Sequence, residues 1–437
     1  MFARTRTVER LIFLCGLLVA FIGFLTGLGC RQPADNPDTM WVAGGSMAPA
    51  MLGAHFQKSC DDCGFVIQFD TVPTLQTSAD ACVCPNCGLE QPFDATKINI
   101  GDEVTIEPVA ADIQRGQIVA FVAQSEDGPR RTVKRIVGMP GESIKLRDGD
   151  VFIDGECHVK SLQELLDQSI VVYDDRFIPA QPAYRRLRPA QRDTNWKSIE
   201  GGYHWKGQSN DSDELVYHQS EGLPLPFKRG TSCELRDNYG YNQFRSRQLN
   251  TITDWYVTAE LEWHGDIQAE MRLAVRGWLG ELRLELDANQ LKLATPDREI
   301  TDSYSDQMTS ANRLRLLAGF ADGRWIVAVN DVPVAEVPAT TDDLSKADGK
   351  NTYDHRPLRI VASGSGQLNV LHLKIWRDIY YLDPSDNKGP DEVWSCNLGA
   401  NEFLMLGDNS PISRDGRQGA AYGIIHRNEI LGVVEPK

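Results

Sequence analysis

The stretch Thr132-Val133-Lys134-Arg135-Ile136-Val137-Gly138-Met139-Pro140-Gly141-Glu142 sets the reading of the whole chain. It begins as a strand, with Thr132, Lys134 and Ile136 on one face and Val133 and Val137 on the other. Gly138, Pro140 and Gly141 then close it in a turn. The same pattern runs on either side. INIGDEVTIEP (98–108), QIVAFVAQ (117–124), ESIKLRDG (142–149) and DVFIDG (150–155) are short apolar runs cut by Gly, Pro and Asp. Residues 96–180 are expected to form antiparallel sheet. One short helix is expected near Ser161–Gln168, where Glu164 follows Ser161 by three residues as in a capping box.

A lysine in such a strand is either solvated, beside Arg131 and Arg135, or buried. Buried, its ammonium pKa falls from about 10.4 toward working pH, and the neutral amine becomes a base. A serine hydroxyl needs such a base to become a nucleophile. The candidate is Ser46, in GGSMAPAML (44–52). Read alone, Ser46 is also a plausible turn serine after Gly44-Gly45. An α/β-hydrolase elbow would need a strand, a turn, a long helix and a later histidine. Pro49 and the cysteines that follow leave no room for that helix, and His426 has no acid partner in the right order. A Ser/Lys dyad fits better than a triad.

Three segments, in this order, resemble the boxes of bacterial type I signal peptidases: GGSMAPAML the nucleophile box, TVKRIVGMPGE the lysine box, and LGDNSPISRDGRQ (406–418) the Gly-Asp-Asn box. The resemblance covers 41–54, 97–180 and 390–437, under half of the chain. It implies Ser46 as nucleophile, Lys134 as general base and Ser413 as the hydroxyl that orients the lysine amine. It further implies Asp415 and Arg417 as paired charges bracing the wall, with Asp408 and Asn409 opening the box in a turn. The family needs no cofactor for catalysis. Two departures stand out: Ser410-Pro411 where Arg-Asp is common, and Gly416 where serine is common. Gly44 also replaces a hydroxyl that some members point at the oxyanion, leaving the Ser46 N–H as the one evident donor.

Residues 11–29 are apolar and uncharged, long enough for a bilayer. Arg4, Arg6 and Arg10 precede them and Asp35 and Asp38 follow, so residues 1–10 are expected in the cytoplasm and everything after 30 outside. A single retained span in the inner (plasma) membrane is preferred to a cleaved leader or a lipidated Cys30. The linker and nucleophile segment, 30–54, then keeps Ser46 within about 55 Å of the bilayer.

Cys60-x2-Cys63 and Cys84-x2-Cys87, each followed by glycine, have the spacing of a four-thiolate zinc ribbon over 55–95. Two disulfides are the alternative in an oxidising compartment, and Cys82 is left over. Typical signal peptidases lack this block, so it reads as a structural insertion. Cys157, Cys233 and Cys396 cannot be paired from sequence.

Residues 181–388 read as a second insertion, all β. In Trp255–Trp263 the odd positions are apolar, and the alternation recurs in Met271–Val275, Leu282–Leu286, Trp325–Val329 and Leu371–Ile375. Such strands suggest a sandwich, loosely similar to concanavalin/laminin-G jelly rolls, with a ligand the sequence does not name. The 389–437 segment returns to the peptidase core. A net charge of −16 over 437 residues argues against nucleic acid. The expected fold is thus mainly β with one transmembrane helix. The expected function is signal-peptide removal from exported preproteins at the bilayer. The alternative is a membrane-tethered binding protein whose sandwich recognises a sugar or a protein on a degenerate peptidase scaffold.

Overall fold

The computed structural model describes residues 38–72, 80–109, 112–123, 128–219, 234–275, 279–287, 290–296, 298–300, 312–339, 356–384 and 393–434. The expected tail, 1–10, and span, 11–29, lie outside them, as does Cys233. Among the described residues no helix is long and apolar enough to cross a membrane. The chain divides into residues 1–39 and a second unit, 40–437, which holds the sheets, the cysteine block and the candidate site.

The described part is mainly β and antiparallel, as its alternation implies. In the sheet that carries Lys134, strands run in the order Glu103–Glu107, Ile430–Val434, Ile118–Ala123, Arg130–Gly138, Glu402–Leu406 and Ile424–His426. Strands from both ends of the chain thus interleave: Lys134 lies opposite Val119, and Arg135 opposite Leu406. From Val133 to Gly138 every residue is buried, so both faces of this strand are covered. Met47 and Met51 from the nucleophile segment pack with Val133, Ala120 and Ile106, while Ile136 packs with Phe121 and Met405. A smaller sheet orders Glu156–Cys157, Asp150–Ile153, Ser143–Arg147 and Ser395–Asn397. Its last strand comes from beyond the large insertion. The helix Leu162–Asp167 forms, capped reciprocally by Ser161 and Glu164.

The cysteine block is two hairpin-like knuckles. Gly64 and Gly88 take positive φ, and their N–H groups donate to the carbonyls of Cys60 and Cys84. Glycine adopts that conformation without a Cβ penalty.

Among the described residues, the large insertion and the strand leading into it join 13 strands into one hydrogen-bonded network. Two features differ from the sequence reading. Trp255–Trp263 and Met271–Val275 are not separate strands but parts of one 21-residue strand, Trp255–Val275. It pairs along nearly its whole length with the 20-residue strand Leu358–Arg377. The first half pairs on its other edge with Arg313–Ala321, the second half with Gly280–Leu286. The change of neighbour falls near Gly265 and Gly366, which face each other. A Cβ on either would sit within 2.7 Å of the opposing backbone. Glycine there lets the backbones close up where the pair changes partners. The second difference is the boundary: Ile170–Asp174, expected in the peptidase core, pairs instead with Leu358–Arg377. Ile170-Val171-Val172-Tyr173 is apolar throughout, so local pattern does not choose between two sheets.

The insertion has its own core, built on Trp205, Trp255, Trp263, Tyr173, Tyr203 and Tyr217. Trp205 is fully buried and its indole N–H donates to Asp213 at 2.9 Å. Where the insertion meets the smaller sheet, Lys160 forms ion pairs with Asp322 and Asp378, at 2.9 Å to the latter. Trp205→Ala removes a large core side chain and one of the hydrogen bonds to the Asp213 carboxylate, which Asn195 also holds. It should cost about 3–5 kcal/mol, read as a lowered urea midpoint followed by tryptophan fluorescence; an unchanged midpoint would contradict this packing.

Candidate active site

Ser46 sits in a single 3-10 turn, Gly45–Met47, entered through an extended Gly44. Met47 anchors the turn in the core, and Lys134 reaches it from the middle of its strand. The Lys134 Nζ donates to Ser46 Oγ in a short hydrogen bond. Lys134 is 3 % exposed. Burial lowers its pKa to about 8, against the opposing pull of Asp415 and Asp408, and Arg417 lowers it further. A solvated strand lysine is therefore not what the chain contains.

Both nearby carboxylates are engaged by guanidiniums. Asp408 accepts from Arg135 Nε at 2.8 Å and Nη2 at 2.5 Å, a buried two-pronged pair. Asp415 accepts from Arg417 Nε at 2.9 Å and Nη2 at 2.8 Å, and from the Gly407 N–H at 3.0 Å. Burial pushes the Asp415 carboxyl up, but the Arg417 hydrogen bonds and charge outweigh it and hold the pKa below the usual value. Ser410, one of the departures from the family pattern, is part of this wall. Its hydroxyl accepts from Arg417 Nη1 and from the Leu382 N–H, and its carbonyl accepts from Arg417 Nη2 at 3.0 Å. Ser413 is buried at the same wall, and its Oγ has no hydrogen-bond partner among the described residues. The amine's own contact goes to Ser46. Gly407 lies where a Cβ would come within 2.2 Å of Ser413 Oγ and 2.6 Å of the Ser46 carbonyl oxygen. That position admits only glycine without a shift.

Two residues of this constellation escaped sequence reading. Arg135 looked like a solvated neighbour of Lys134 and is instead the buried partner of Asp408. Asn409 looked like a turn residue. Its N–H donates to the Ser46 carbonyl at 3.0 Å and its amide Nδ2 to the Gly45 carbonyl at 3.0 Å. A fully buried strand on both faces, inferable from the run Val133–Gly138, is the signal that would have placed Arg135 inside. At Gly44 an added Cβ meets nothing within 4 Å, so the position is open.

The four block cysteines come together in a cluster of their own. Cys60 Sγ and Cys87 Sγ are 3.6 Å apart, Cys63 Sγ and Cys84 Sγ 3.7 Å, and all four sulfurs lie within 4.8 Å of one another. All are free thiols. Zn–S bonds of about 2.3 Å in a tetrahedron put sulfurs about 3.8 Å apart, whereas a disulfide needs about 2.05 Å. Cys82 is buried but stands outside the quartet.

Residues 94–200, which include the Lys134 strand, match the family described as signal peptidase, peptidase S26. A probable signal peptidase I-2 from Synechocystis sp. is 27 % identical over 94 residues, 20 % of this chain. The aligned part spans only 36 % of that relative. The chain thus carries a peptidase S26-type segment, a class of hydrolase. Among solved structures, a carbohydrate-binding module (CBM66) from Bacillus subtilis covers 43 % of this chain and 94 % of its own, at 7 % identity and a TM-score of 0.26. An alginate lyase from Corynebacterium sp. covers 60 % of this chain and 93 % of its own, at 7 % identity and a TM-score of 0.27. Likenesses at that level carry nothing about ligand or activity.

The lysine has a consequence for stability. Its folded pKa, about 8, lies below the unfolded value of about 10.4. Between those values the unfolded chain binds more protons, so stability rises with pH. Below about pH 8 the charged amine is buried at full cost. Relative to Lys134→Met, the wild-type chain should gain stability, on the order of a few kcal/mol, as pH rises from 7 to 10. Urea-unfolding midpoints measured at both pH values check this; parallel pH dependence in the two proteins would refute it.

Proposed function

We propose that this chain is a serine endopeptidase that removes signal peptides from exported preproteins, with Ser46 and Lys134 as its dyad. The observation that carries the reading is the hydrogen bond between Ser46 Oγ and a lysine that burial has brought close to working pH. Once Lys134 loses its proton, the contact reverses: the Ser46 hydroxyl donates and the amine accepts. Ser46 Oγ then attacks the scissile carbonyl and Lys134 takes the hydroxyl proton. The ammonium returns that proton to the leaving amine, giving an acyl-enzyme. The neutral amine next activates a water, which releases the acyl group. The Ser46 N–H is oriented toward the oxyanion by the turn, and the open space at Gly44 leaves room for water as second donor. Asp415–Arg417 and Asp408–Arg135 keep the wall behind the amine rigid, and Ser413, buried at that wall, is the hydroxyl that takes up the amine once Ser46 Oγ has attacked.

The substrate fitting this reading is an extended signal-peptide end with small residues one and three positions before the cut. The N-terminal apolar run, residues 11–29, holds the catalytic part outside the plasma membrane at the bilayer where such ends emerge. Ser46→Ala and Lys134→Met should each lower cleavage of a preprotein bearing an Ala-x-Ala site by at least about a thousandfold. In the wild-type chain kcat/KM should climb with pH up to about 8 and level off above it, because the base is the form without its proton. Undiminished cleavage in either variant ends the dyad mechanism, and with it the reading.

The Cys60, Cys63, Cys84 and Cys87 thiolates hold a structural zinc in the same proposal. The knuckle glycines and free thiols support it. One zinc per chain is the expected metal content of the purified protein, and removing it with a strong chelator should lower the thermal midpoint. A chain with no metal and two disulfides would overturn it.

A further inference from the structure

The large insertion does more than hang from the peptidase core. Its turn Gly240–Asn242 is buried at all three residues and lies against the nucleophile. Asn242 and Asn409 pair amide to amide: Asn242 Nδ2 donates to Asn409 Oδ1 at 2.6 Å, and Asn409 Nδ2 donates to Asn242 Oδ1 at 3.0 Å. The second hydrogen of that Asn409 nitrogen goes to the Gly45 carbonyl. Asn242 therefore fixes which way the Asn409 amide faces, and Asn409 fixes the carbonyls on both sides of the Ser46 nitrogen and Cα. The Tyr241 ring covers Gly45 so closely that a Cβ there would lie 2.3 Å from the ring.

The turn is itself held from behind by the cysteine block. Gly240 abuts Pro85, the Gln243 side chain accepts from the Val83 N–H at 2.6 Å, and Arg245 pairs with Asp70 at 2.8 Å. Phe244 packs with Phe69 and Phe93. Nothing in this arrangement touches a reacting atom. Its reach into catalysis is geometric, since a nucleophile displaced by about 1 Å can lose about 10²-fold in rate.

We propose that Gly240–Asn242 is a positioning element for Ser46, supplied by the insertion, with Asn242 acting through Asn409. This rests on the protease reading above. The test uses the full-length chain and a peptide with an Ala-x-Ala site, with active enzyme counted by stoichiometric labelling of Ser46 with an acylating probe. In Asn242→Ala, kcat per labelled site should fall about 10- to 100-fold while KM stays within about twofold. Asn242→Asp, nearly the same size, keeps an acceptor but loses the donor to Asn409 Oδ1 and buries a carboxylate, so it should lower the thermal midpoint and also kcat per labelled site. The Asn242→Ala/Asn409→Ala double variant should be no slower than Asn409→Ala alone, as expected of residues acting in series.

Wild-type kcat per labelled site in Asn242→Ala or Asn242→Asp overturns the inference, as does a loss confined to the number of labelled sites. Multiplicative effects in the double variant also overturn it. If Ser46→Ala is inactive in the same assay, the protease reading survives any of those results. Turnover that persists in Ser46→Ala overturns both.

Discussion

An amine kept out of water beside a hydroxyl is the constraint on which the rest depends. Desolvation, helped by Arg417, brings the Lys134 pKa down to about 8, against the pull of two nearby carboxylates. The wall resolves the conflict by giving each acid its own guanidinium. Asp408 is held by Arg135 on the lysine's own strand, and Asp415 by Arg417 two residues along. Such pairs neutralise charge locally and hold geometry in a low-dielectric setting, where a lone carboxylate would be costly. The departure at Ser410 then has a structural place: its hydroxyl and carbonyl finish the hydrogen bonding of Arg417 and tie the wall to Leu382.

The second constraint is the nucleophile turn. A one-turn 3-10 segment has little stability of its own. It is held by Met47 in the core, by Asn409 across its carbonyls, and by Tyr241 over Gly45. The cysteine block and the large insertion are linked in turn: Asn86 donates to the carbonyls of Asp174 and Phe177 and accepts from the Asp174 N–H. The cysteine block and the insertion therefore meet each other, and the insertion's turn reaches the Ser46 turn, rather than the two projecting separately.

Much of this could be read residue by residue. Alternation marked the strands, Ser161 and Glu164 marked the short helix, and the two Cys-x2-Cys-Gly knuckles marked a compact thiol quartet. Pattern was less informative where both faces of a strand are buried. Arg135 and the Ile170–Tyr173 run then carry no alternation to say what they face. It was silent on the continuous Trp255–Val275 strand, because the close approach at Gly265 and Gly366 is a property of the pair and not of either sequence alone.

Residue identity by itself determined which groups can do chemistry here: one serine in a glycine turn, one lysine in an apolar strand, four thiols at knuckle spacing. Tertiary structure decided which of them meet. The Lys134–Ser46 contact joins residues 88 apart in sequence, Arg135–Asp408 residues 273 apart, and Asn242–Asn409 residues 167 apart. Local propensity acts over a few residues, whereas burial of an amine or the facing of two amides requires surfaces brought together by the whole fold. That is why Lys134 stood out in the chain and the residues bracing it did not.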